Sequence, residues 1–371
     1  MKKVIKLLIV LLLISSLSAC WDARDLEELL IVFGLGIDMS EENPENYFFT
    51  IGFPTIIEEA PEQKSEFSTE APSLGKGKSN LQQKVYRAIS YDNVKIVVLG
   101  EEAARQGIIQ HVDSMLREPL FRGTTRFAVV KDRAADLFEL QPPVALFVST
   151  FIFDSIQQNY ENTTVPITTL RNFSNQYYTI GIEPAMPFIC YGADRTELNV
   201  GCVALFRGDK MIHRLQGHDS KAFMLLIDEI HGGLYTFDYI PEGTEKGEFI
   251  SITLKGGRSK IKTKLIDSQL YIYHDISING NLGEYTASEH IMTEEKIEET
   301  ENYLAGEVKK HLQSTVEILQ YELQNDNVGY GKYVKANHPE FFNGENWNHQ
   351  FSEAVIHVNP SVRIRTVGIS P

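Results

Sequence analysis

The longest periodic stretch of the sequence, residues 293–325, predicts an amphipathic helix. Its apolar residues recur at steps of three or four positions, while Glu, Lys and Gln occupy the opposite side. The apolar stripe consists of Leu304, Val308, Leu312, Val316, Leu319 and Leu323. Because a helix with one apolar side must be buried against another layer, most simply a sheet, this stretch predicts a domain in which a long helix covers strands.

Strand patterns surround this helix in the second half of the chain. They lie at residues 200–207, from residue 211 onward, and at residues 248–254, 260–266, 270–278 and 354–368. The alternation of apolar and polar residues is typical of half-buried strands. A turn at Gly208-Asp209 connects the first two strands, and Asp219 or Ser220 is predicted to cap the helix that follows them. The order of strands and helices predicts an α+β domain.

The first half of the chain also alternates between strand and helix patterns. Strands are predicted at residues 29–36, 47–57, 94–99 and 126–130, and helices at residues 79–89, 101–116 and 142–160. The first two strands are expected to pair across a turn at residues 40–46. Ser79 stands three residues before Gln82, a capping-box spacing, so we expect it to begin the first helix after a polar loop at residues 58–78.

The fold class predicted from these patterns is α+β, with several domains, mixed sheets and packed helices. Residues 161–199 carry scattered prolines and no clear period, so we place a domain boundary within this stretch. The expected division is an N-terminal α+β region at residues 20–192 and a C-terminal α+β domain at residues 196–371.

The first twenty residues have the layout of a bacterial export leader that ends in a lipobox. Three lysines precede an uncharged apolar run, and residues 17–20 read Leu-Ser-Ala-Cys. The apolar run is too short to span a bilayer core of roughly 30 Å. We therefore predict that residues 1–19 are a signal peptide and that Cys20 becomes an N-terminus carrying diacylglycerol and an N-acyl chain. A plain secretory signal with a chance cysteine is the alternative.

Composition limits the classes of partner. Hydrophobic residues make up 43% and charged residues 23% of the chain, which predicts folded domains with substantial cores. The formal net charge of −15 argues against nucleic acid, and against docking of the protein body on anionic lipid headgroups. Besides Cys20, the chain has Cys190 and Cys202. They could form a disulfide or be two buried thiols in neighbouring strands, and the sequence leaves both possibilities open.

Enzyme signatures are scarce in this sequence. Neither a Gly-x-Ser-x-Gly nor a His-Glu-x-x-His motif occurs, and Gly77-Lys78-Ser79 lacks the upstream glycine of a phosphate loop because Pro72 occupies that position. A group of acidic and histidine residues could be imagined as a metal site, but its spacing is not diagnostic. The group comprises His218, Asp219, Asp228, Glu229 and His231. We therefore expect a non-enzymatic protein without a metal or cofactor site.

Several motifs spread over the mature chain resemble those of one known family. Residues 20–26 read Cys-Trp-Asp-Ala-Arg-Asp-Leu and residues 34–38 read Gly-Leu-Gly-Ile-Asp. Further matches lie at residues 75–77, 94–102, 204–210 and 326–331, followed by Pro339, Trp347 and Phe351. The pattern resembles the Ger(x)C family, the lipoprotein C subunits of spore germinant receptors. Three positions depart from it: Asp25 replaces a Glu, Asn93 a His, and Asn327 a large apolar residue.

This resemblance implies a lipid-anchored, non-enzymatic receptor subunit on the outer face of the cell membrane and spore inner membrane. The implied partners are integral-membrane A- and B-type subunits, with a nutrient germinant bound through the complex. It also implies three domains, so the N-terminal region would divide near residues 131–143. Cys20 is the one site residue that we assign, by lipidation. The alternative function is a lipid-anchored extracytoplasmic solute-binding protein, which would have two similar lobes around a cleft.

Overall fold

The computed structural model describes residues 25–54, 66–140, 147–191, 197–239, 248–285 and 293–366, together with residues 3, 5 and 6. Within these ranges the fold is α+β, as the sequence predicts, with three sheets. The strands are β1 (Leu29–Ile31), β2 (Gly34–Met39), β3 (Tyr47–Gly52), β4 (Glu66–Ala71), β5 (Ala88–Ser90), β6 (Ile96–Gly100), β7 (Arg126–Val130), β8 (Thr168–Thr169), β9 (Ala185–Tyr191), β10 (Leu198–Arg207), β11 (Lys210–Leu215), β12 (Leu234–Tyr239), β13 (Glu248–Ile266), β14 (Gln269–Tyr285) and β15 (Val355–Ile364).

The helices pack on both faces of the nine-stranded sheet and on one face of the second large sheet. They are α1 (Leu74–Gln82), α2 (Glu101–Gln106), α3 (Ile109–Arg117), α4 (Ala134–Phe138), α5 (Val148–Glu161), α6 (Leu170–Tyr178), α7 (His218–Leu226), α8 (Glu294–Glu317), α9 (Tyr330–Asn337) and α10 (Trp347–Glu353). A short 3₁₀ turn, Leu26–Glu28, precedes β1, and a π-helical turn, Ile318–Glu322, continues α8.

The largest sheet has the strand order β11-β10-β9-β7-β6-β2-β3-β4, with β8 paired to β7. Strands β2, β6, β7 and β9 run parallel at its centre. The hairpin of β2 and β3 confirms the predicted pairing, with Gly34 opposite Gly52. Strand β10 pairs with β9, so the expected division between residues 192 and 196 falls between two paired strands of one sheet. The domain boundaries themselves stay a prediction.

The second large sheet has the order β12-β13-β14-β15, and α8 covers one of its faces. The Thr293 hydroxyl accepts a hydrogen bond from the Lys296 amide and caps this helix. Leu304, Leu312 and Leu319 are fully buried, so the predicted covering role of the long helix is confirmed. One continuous core joins this sheet to the nearer face of the nine-stranded sheet, with α5 between them.

The first predicted helix begins earlier than expected. The Ser73 hydroxyl, not that of Ser79, accepts the capping hydrogen bond, from the Lys76 amide at 3.3 Å. This helix, α1, ends at Gln82, whose side chain binds the backbone of the returning chain at residues 87 and 89. Residues 88–90 therefore form β5, which pairs with β1, rather than a continuing helix. The sequence pattern predicts a helix through residue 89 because the apolar residues at 88 and 89 fit both the helical and the strand period.

Other elements depart from their predicted bounds for local reasons. The helix expected at residues 101–116 is divided by Gly107, whose φ of 121° a helix cannot contain. Helix α7 starts after Gly217, and Asp219, the predicted cap, instead accepts a hydrogen bond from Thr315 of α8. Residues 248–266 form one strand rather than two. Part of the polar loop expected at residues 58–78 is strand β4, which pairs with β3, and the patterns also do not predict β12 and α6. Part of the helix expected at residues 142–160 lies outside the described residues; its described part is α5.

The glycines of the Gly-Leu-Gly-Ile-Asp motif make room for one aromatic side chain. Phe138 of α4 packs over β2 and β3, where Gly34 and Gly36 lie beside it. A methyl group at Gly34 would stand 2.5 Å from the Phe138 ring and 2.4 Å from the Ser149 hydroxyl. Two residues after Gly36, Asp38 accepts hydrogen bonds from the backbone amides that begin α4. The motif is therefore a packing and capping device.

We expect Gly34→Ala to lower the free energy of unfolding by about 1–3 kcal/mol, because the added methyl group overpacks the core. Gly75→Ala is the matched control, since nothing lies within 4 Å of a methyl group there. The control should leave stability unchanged or raise it by up to about 1 kcal/mol, because alanine favours a helix. Urea unfolding of both variants measures the difference, and equal destabilisation would contradict this packing.

His111 of α3 is a buried neutral residue whose burial makes the fold sensitive to acid. It is 2% exposed, packs edge-on against Tyr47 at 4.3 Å, and its Nε2 has no hydrogen-bond partner among the described residues. Burial lowers its pKa to about 4. The unfolded chain therefore takes up this proton first, and the stability that neutral His111 confers is lost as the pH falls from about 6.5 to 4.

His111→Phe should reduce this acid sensitivity. We expect the stability lost between about pH 7 and pH 4 to be smaller in the variant, by up to about 3 kcal/mol. Urea unfolding midpoints of both proteins across this range provide the test. Parallel pH profiles would show that His111 does not remain neutral in the fold.

Candidate functional site

Cys20, the predicted lipidation site, lies outside the described residues, as does Trp21 beside it. The described chain begins at Asp25 and leads through the short 3₁₀ turn into β1. None of the helices in the described ranges combines the length and the apolar character that crossing a membrane requires. Lipidation of Cys20 stays a prediction.

A buried, densely hydrogen-bonded segment of the described chain carries Asp326. This side chain is fully buried, and its carboxylate accepts four hydrogen bonds. Oδ1 accepts from the amides of Gly329 at 2.7 Å and Tyr330 at 3.1 Å. Oδ2 accepts from the amide of Gly331 at 2.8 Å and from Nε1 of Trp347 at 2.9 Å. Three of these donors belong to the first turn of α9, where a negative charge is favoured.

Asn325 and Asn327, on either side of Asp326, attach this segment to the nine-stranded sheet. Nδ2 of Asn325 donates to the Phe206 carbonyl at 2.8 Å, and Nδ2 of Asn327 donates to the Pro184 carbonyl at 2.8 Å. The two side chains also bind each other at 2.7 Å. The family resemblance suggests an apolar residue at position 327, but here the amide satisfies carbonyls where β9 begins and β10 ends. We call Asn325, Asp326 and Asn327 the junction.

The electrostatics of the junction favour a structural role. Complete burial raises the pKa of Asp326 to about 6, while its four hydrogen bonds oppose that shift. The neighbouring Tyr330 hydroxyl meets Nδ1 of His274 at 2.9 Å, and Nε2 of the same ring contacts the Ser259 hydroxyl. Burial lowers the pKa of His274 to about 4, so this ring is neutral near pH 7. Its Nδ1 partner is a phenol, not the carboxylate that would orient it as a base for a nucleophile.

A cleft of about 310 Å³ opens beside the junction, between residues 177–183 and 344–349. Glu183 lies within it and accepts a hydrogen bond from the Gly208 amide at 2.6 Å. Burial raises the pKa of this carboxyl group. The exposed side chains of Tyr178 and Ile180 lie on the segment that forms one wall. The cleft is open to solvent, and its lining includes the polar side chains of Glu345, Asn348 and His349.

The acidic and histidine residues considered as a metal site do not converge. His231 contacts Glu229 at 3.0 Å, whereas His218 stacks on His311 with ring centres 4.2 Å apart. Asp228 instead accepts a hydrogen bond from the Ser259 amide. In the part of the chain that the structure describes, no three His, Cys, Asp or Glu side chains could hold a metal ion together.

Cys190 of β9 and Cys202 of β10 are free thiols on neighbouring strands. A hydrogen bond with Cys202 lowers the pKa of Cys190 to about 6, and Arg214, whose Nη1 is 3.6 Å from its sulfur, adds to this. The same hydrogen bond and burial raise the pKa of Cys202. Of the two possibilities that the sequence leaves open, the structure contains the pair of thiols.

Asp326→Asn should destabilise the protein by about 3 kcal/mol or more, because one amide nitrogen replaces an acceptor and leaves two buried donors unpaired. Trp347→Phe removes one donor and should cost less. Asp113→Asn is the surface control, since Asp113 accepts one hydrogen bond, from exposed Tyr178. It should change stability by less than about 0.5 kcal/mol. Urea unfolding tests this order, and an Asp326→Asn variant as stable as the control would contradict it.

Comparison with known proteins identifies the family of this chain. Residues 22–190 match the family described as spore germination protein N-terminal domain. Residues 202–368 match the family described as spore germination B3/GerAC like, C-terminal. The first match ends within β9 and the second begins within β10. The junction lies within the second match.

Individual relatives agree with the family matches. Spore germination protein B3 of Bacillus subtilis is 20% identical over 380 residues, covering 99% of both chains. Spore germination protein KC of the same organism is 22% identical over 406 residues, covering 98% of this chain and 96% of the relative. The crystal structure of the GerBC protein superposes with a TM-score of 0.57 at 17% identity, over 90% of this chain and 97% of that one. This chain therefore belongs to the GerAC-like, or Ger(x)C, family of spore germination proteins.

Proposed function

We propose that this protein is a lipoprotein subunit of a spore germinant receptor, held at the membrane by acylated Cys20 and required for the response to nutrients. The observation that carries the proposal is the continuity of two sequence features. The lipobox ends at Cys20, and the family match begins at residue 22 and continues, with one interruption, to residue 368. Tethering would raise the local concentration of the folded body near its membrane partners.

The proposed location is the outer face of the cell membrane and of the spore inner membrane. The proposed partners are the integral-membrane A- and B-type subunits of the receptor, through which a small germinant would act. One acyl chain binds a membrane only marginally, whereas the diacylglycerol and N-acyl chains of a processed lipobox cysteine would anchor the protein stably.

The proposed role is non-enzymatic. The buried carboxylates Asp38 and Asp326 both accept hydrogen bonds from the backbone amides of a helix start, so each is occupied by the fold. Neither carboxylate is accessible to a substrate, because Asp38 is 2% exposed and Asp326 is fully buried. These contacts support a protein that works through its surfaces.

A lipid-anchored solute-binding protein is the alternative from a different class. It requires two similar lobes around a ligand cleft. The described sheets instead differ in size and strand order, with nine strands in one and four in the other. Within the described residues the two sheets share one core, to which α5 contributes Ile152 and Ile156. This architecture favours the receptor-subunit proposal.

Replacing Cys20 with Ala should release the protein from the membrane fraction and impair germination. In spores that lack redundant receptors, we expect nutrient-triggered dipicolinate release to fall about tenfold or more, towards the rate of a deletion strain, because the local concentration is lost. Cys190→Ala is the matched control, because Cys190 is a free, half-buried thiol. This control should remain in the membrane fraction and respond normally.

Two results would contradict the proposal. A deletion strain that responds normally to every nutrient tested would remove the receptor assignment. If the Cys20→Ala protein stayed in the membrane fraction, that result would contradict the proposed acyl anchor but not the receptor assignment. Tight stoichiometric binding of an amino acid or sugar to the purified protein would favour the solute-binding alternative.

A further inference from the structure

The outward face of the C-terminal sheet carries a cluster of cations that the net charge of −15 conceals. Successive outward positions of β13 are basic, and an outward residue of β15 adds another cation. These residues are Arg258, Lys260, Lys262, Lys264 and Arg363, and all are exposed. We call them, with the side chains between them, the basic face. Alternate residues of β14, such as Ile272 and Ile276, point the other way into the core, so the face follows directly from the strand period.

The strand register places aromatic side chains among these cations. Lys262 lies opposite Tyr273, and Lys264 lies opposite Tyr271. The Lys264 ammonium is 5.6 Å from the centre of the Tyr273 ring, which stacks on His357 of β15 at 5.3 Å. Tyrosine beside lysine is a combination found where proteins meet the membrane–water interface.

Acidic residues do little to neutralise the described part of this face. Asp275, opposite Lys260, forms an ion pair with Lys262 at 3.0 Å and accepts a hydrogen bond from Asn359. Asp267 lies in the turn between β13 and β14. Five cations and two acids leave a local positive charge, which would attract an anionic surface over a Debye length of about 10 Å at 0.1 M salt.

Two exposed aliphatic residues precede the two-residue turn of the β13–β14 hairpin, Leu265 at 39% and Ile266 at 47% exposure. Ile266 continues the basic face after Lys264, whereas Leu265, opposite the buried Leu270, lies on the core side. Lysines on an edge strand commonly serve only to prevent pairing with another strand. That explanation also covers Arg363, because β15 is an edge strand of this sheet, but it does not account for the exposed aliphatic side chain of Ile266 at the tip.

The hairpin is linked to the junction. The junction binds the Pro184 carbonyl just before β9, at the end of the nine-stranded sheet where the parallel strands β2 and β6 also begin. Helix α10 connects the junction to the hairpin: Trp347 at its start contacts Asp326, and the Glu353 carbonyl at its end accepts a hydrogen bond from Gln269.

We infer that the basic face docks on an anionic lipid surface, with Ile266, the residue that continues this face at the tip, entering the headgroup region. This goes beyond the proposed acyl anchor, because it assigns the folded body a second contact that would fix its orientation at the membrane. The combination of cations, tyrosines and an aliphatic tip favours a lipid surface over an acidic protein, which would not require exposed aliphatic residues at a turn.

Vesicle binding by unlipidated protein tests this inference separately from the anchor. Every strand and helix named above lies between residues 26 and 364. The protein to use is therefore residues 20–371 with Cys20→Ala, which keeps the whole described fold. Sedimentation with phosphatidylglycerol-containing vesicles should show salt-sensitive binding, and pure phosphatidylcholine vesicles should bind much less. Equal binding to both would overturn the inference by showing that lipid charge does not matter. Binding to neither would overturn it in favour of an acidic protein as the occupant of the face.

Charge reversal locates the contact. Lys260→Glu, Lys262→Glu and Lys264→Glu combined should weaken binding to anionic vesicles about tenfold or more, since each basic residue near such a surface contributes about 1 kcal/mol. The matched control reverses Lys76, Lys309 and Lys310, which are exposed elsewhere, and gives the same net charge. The control should bind within about twofold of wild type. Equal loss in both triple variants would show that net charge alone is responsible and would overturn the inference.

Two further variants guard against a trivial loss of structure. The three face lysines changed to Gln should weaken binding to a smaller extent while keeping the urea unfolding midpoint. Ile266→Ser should weaken the binding that remains at high salt, because that part depends on apolar contact. If the tip variant bound vesicles at high salt as tightly as the wild-type protein, that result would contradict insertion of the tip.

Discussion

Four hydrogen bonds to one buried carboxylate, that of Asp326, hold the C-terminal half of this protein in register with its central sheet. The carboxylate fixes the first turn of α9 and the Trp347 side chain, while the adjacent asparagines bind carbonyls at the ends of β9 and β10. Burial of a carboxylate is costly unless its oxygens are fully paired, so this arrangement tolerates few substitutions. The matched family regions meet at these strands, and the junction explains how two consecutive regions become one body.

The sequence predicts those features of the fold that depend on period, and misses those that depend on long-range contacts. The long helix, the β2–β3 hairpin and the β10–β11 hairpin follow from local patterns of residues that the structure buries as expected. The first helix is misplaced because the spacing of Ser79 to Gln82 suits a capping box, whereas the structure caps the helix with Ser73. The helix packs against β3 through Gly77, where a methyl group would stand 2.7 Å from the Phe49 ring. Strand β5 exists because β1 is there to pair with it, which no local pattern reveals.

The functional residues show a similar division. Motifs such as Gly-Leu-Gly-Ile-Asp and Asp-Asn-Val-Gly-Tyr-Gly are conspicuous in the sequence, and the structure explains them through packing and capping. The basic face was not predicted, although its lysines alternate visibly in residues 258–264, because net charge averages over all surfaces. The signal that could have found it is alternation of one charge sign along a predicted strand. Recognition by this protein is therefore expected to depend on local surfaces rather than on its overall charge.

Amide hydrogen exchange under native conditions tests most directly whether the junction unites the fold. We expect the amides of Gly329, Tyr330 and Gly331 to exchange only through global unfolding, with the same opening free energy as those of Val203 and Ala204 in β10. Exchange of the three junction amides through a local opening of much lower free energy would contradict this role. The two halves would then be independent units that share a sheet edge without being fixed by Asp326.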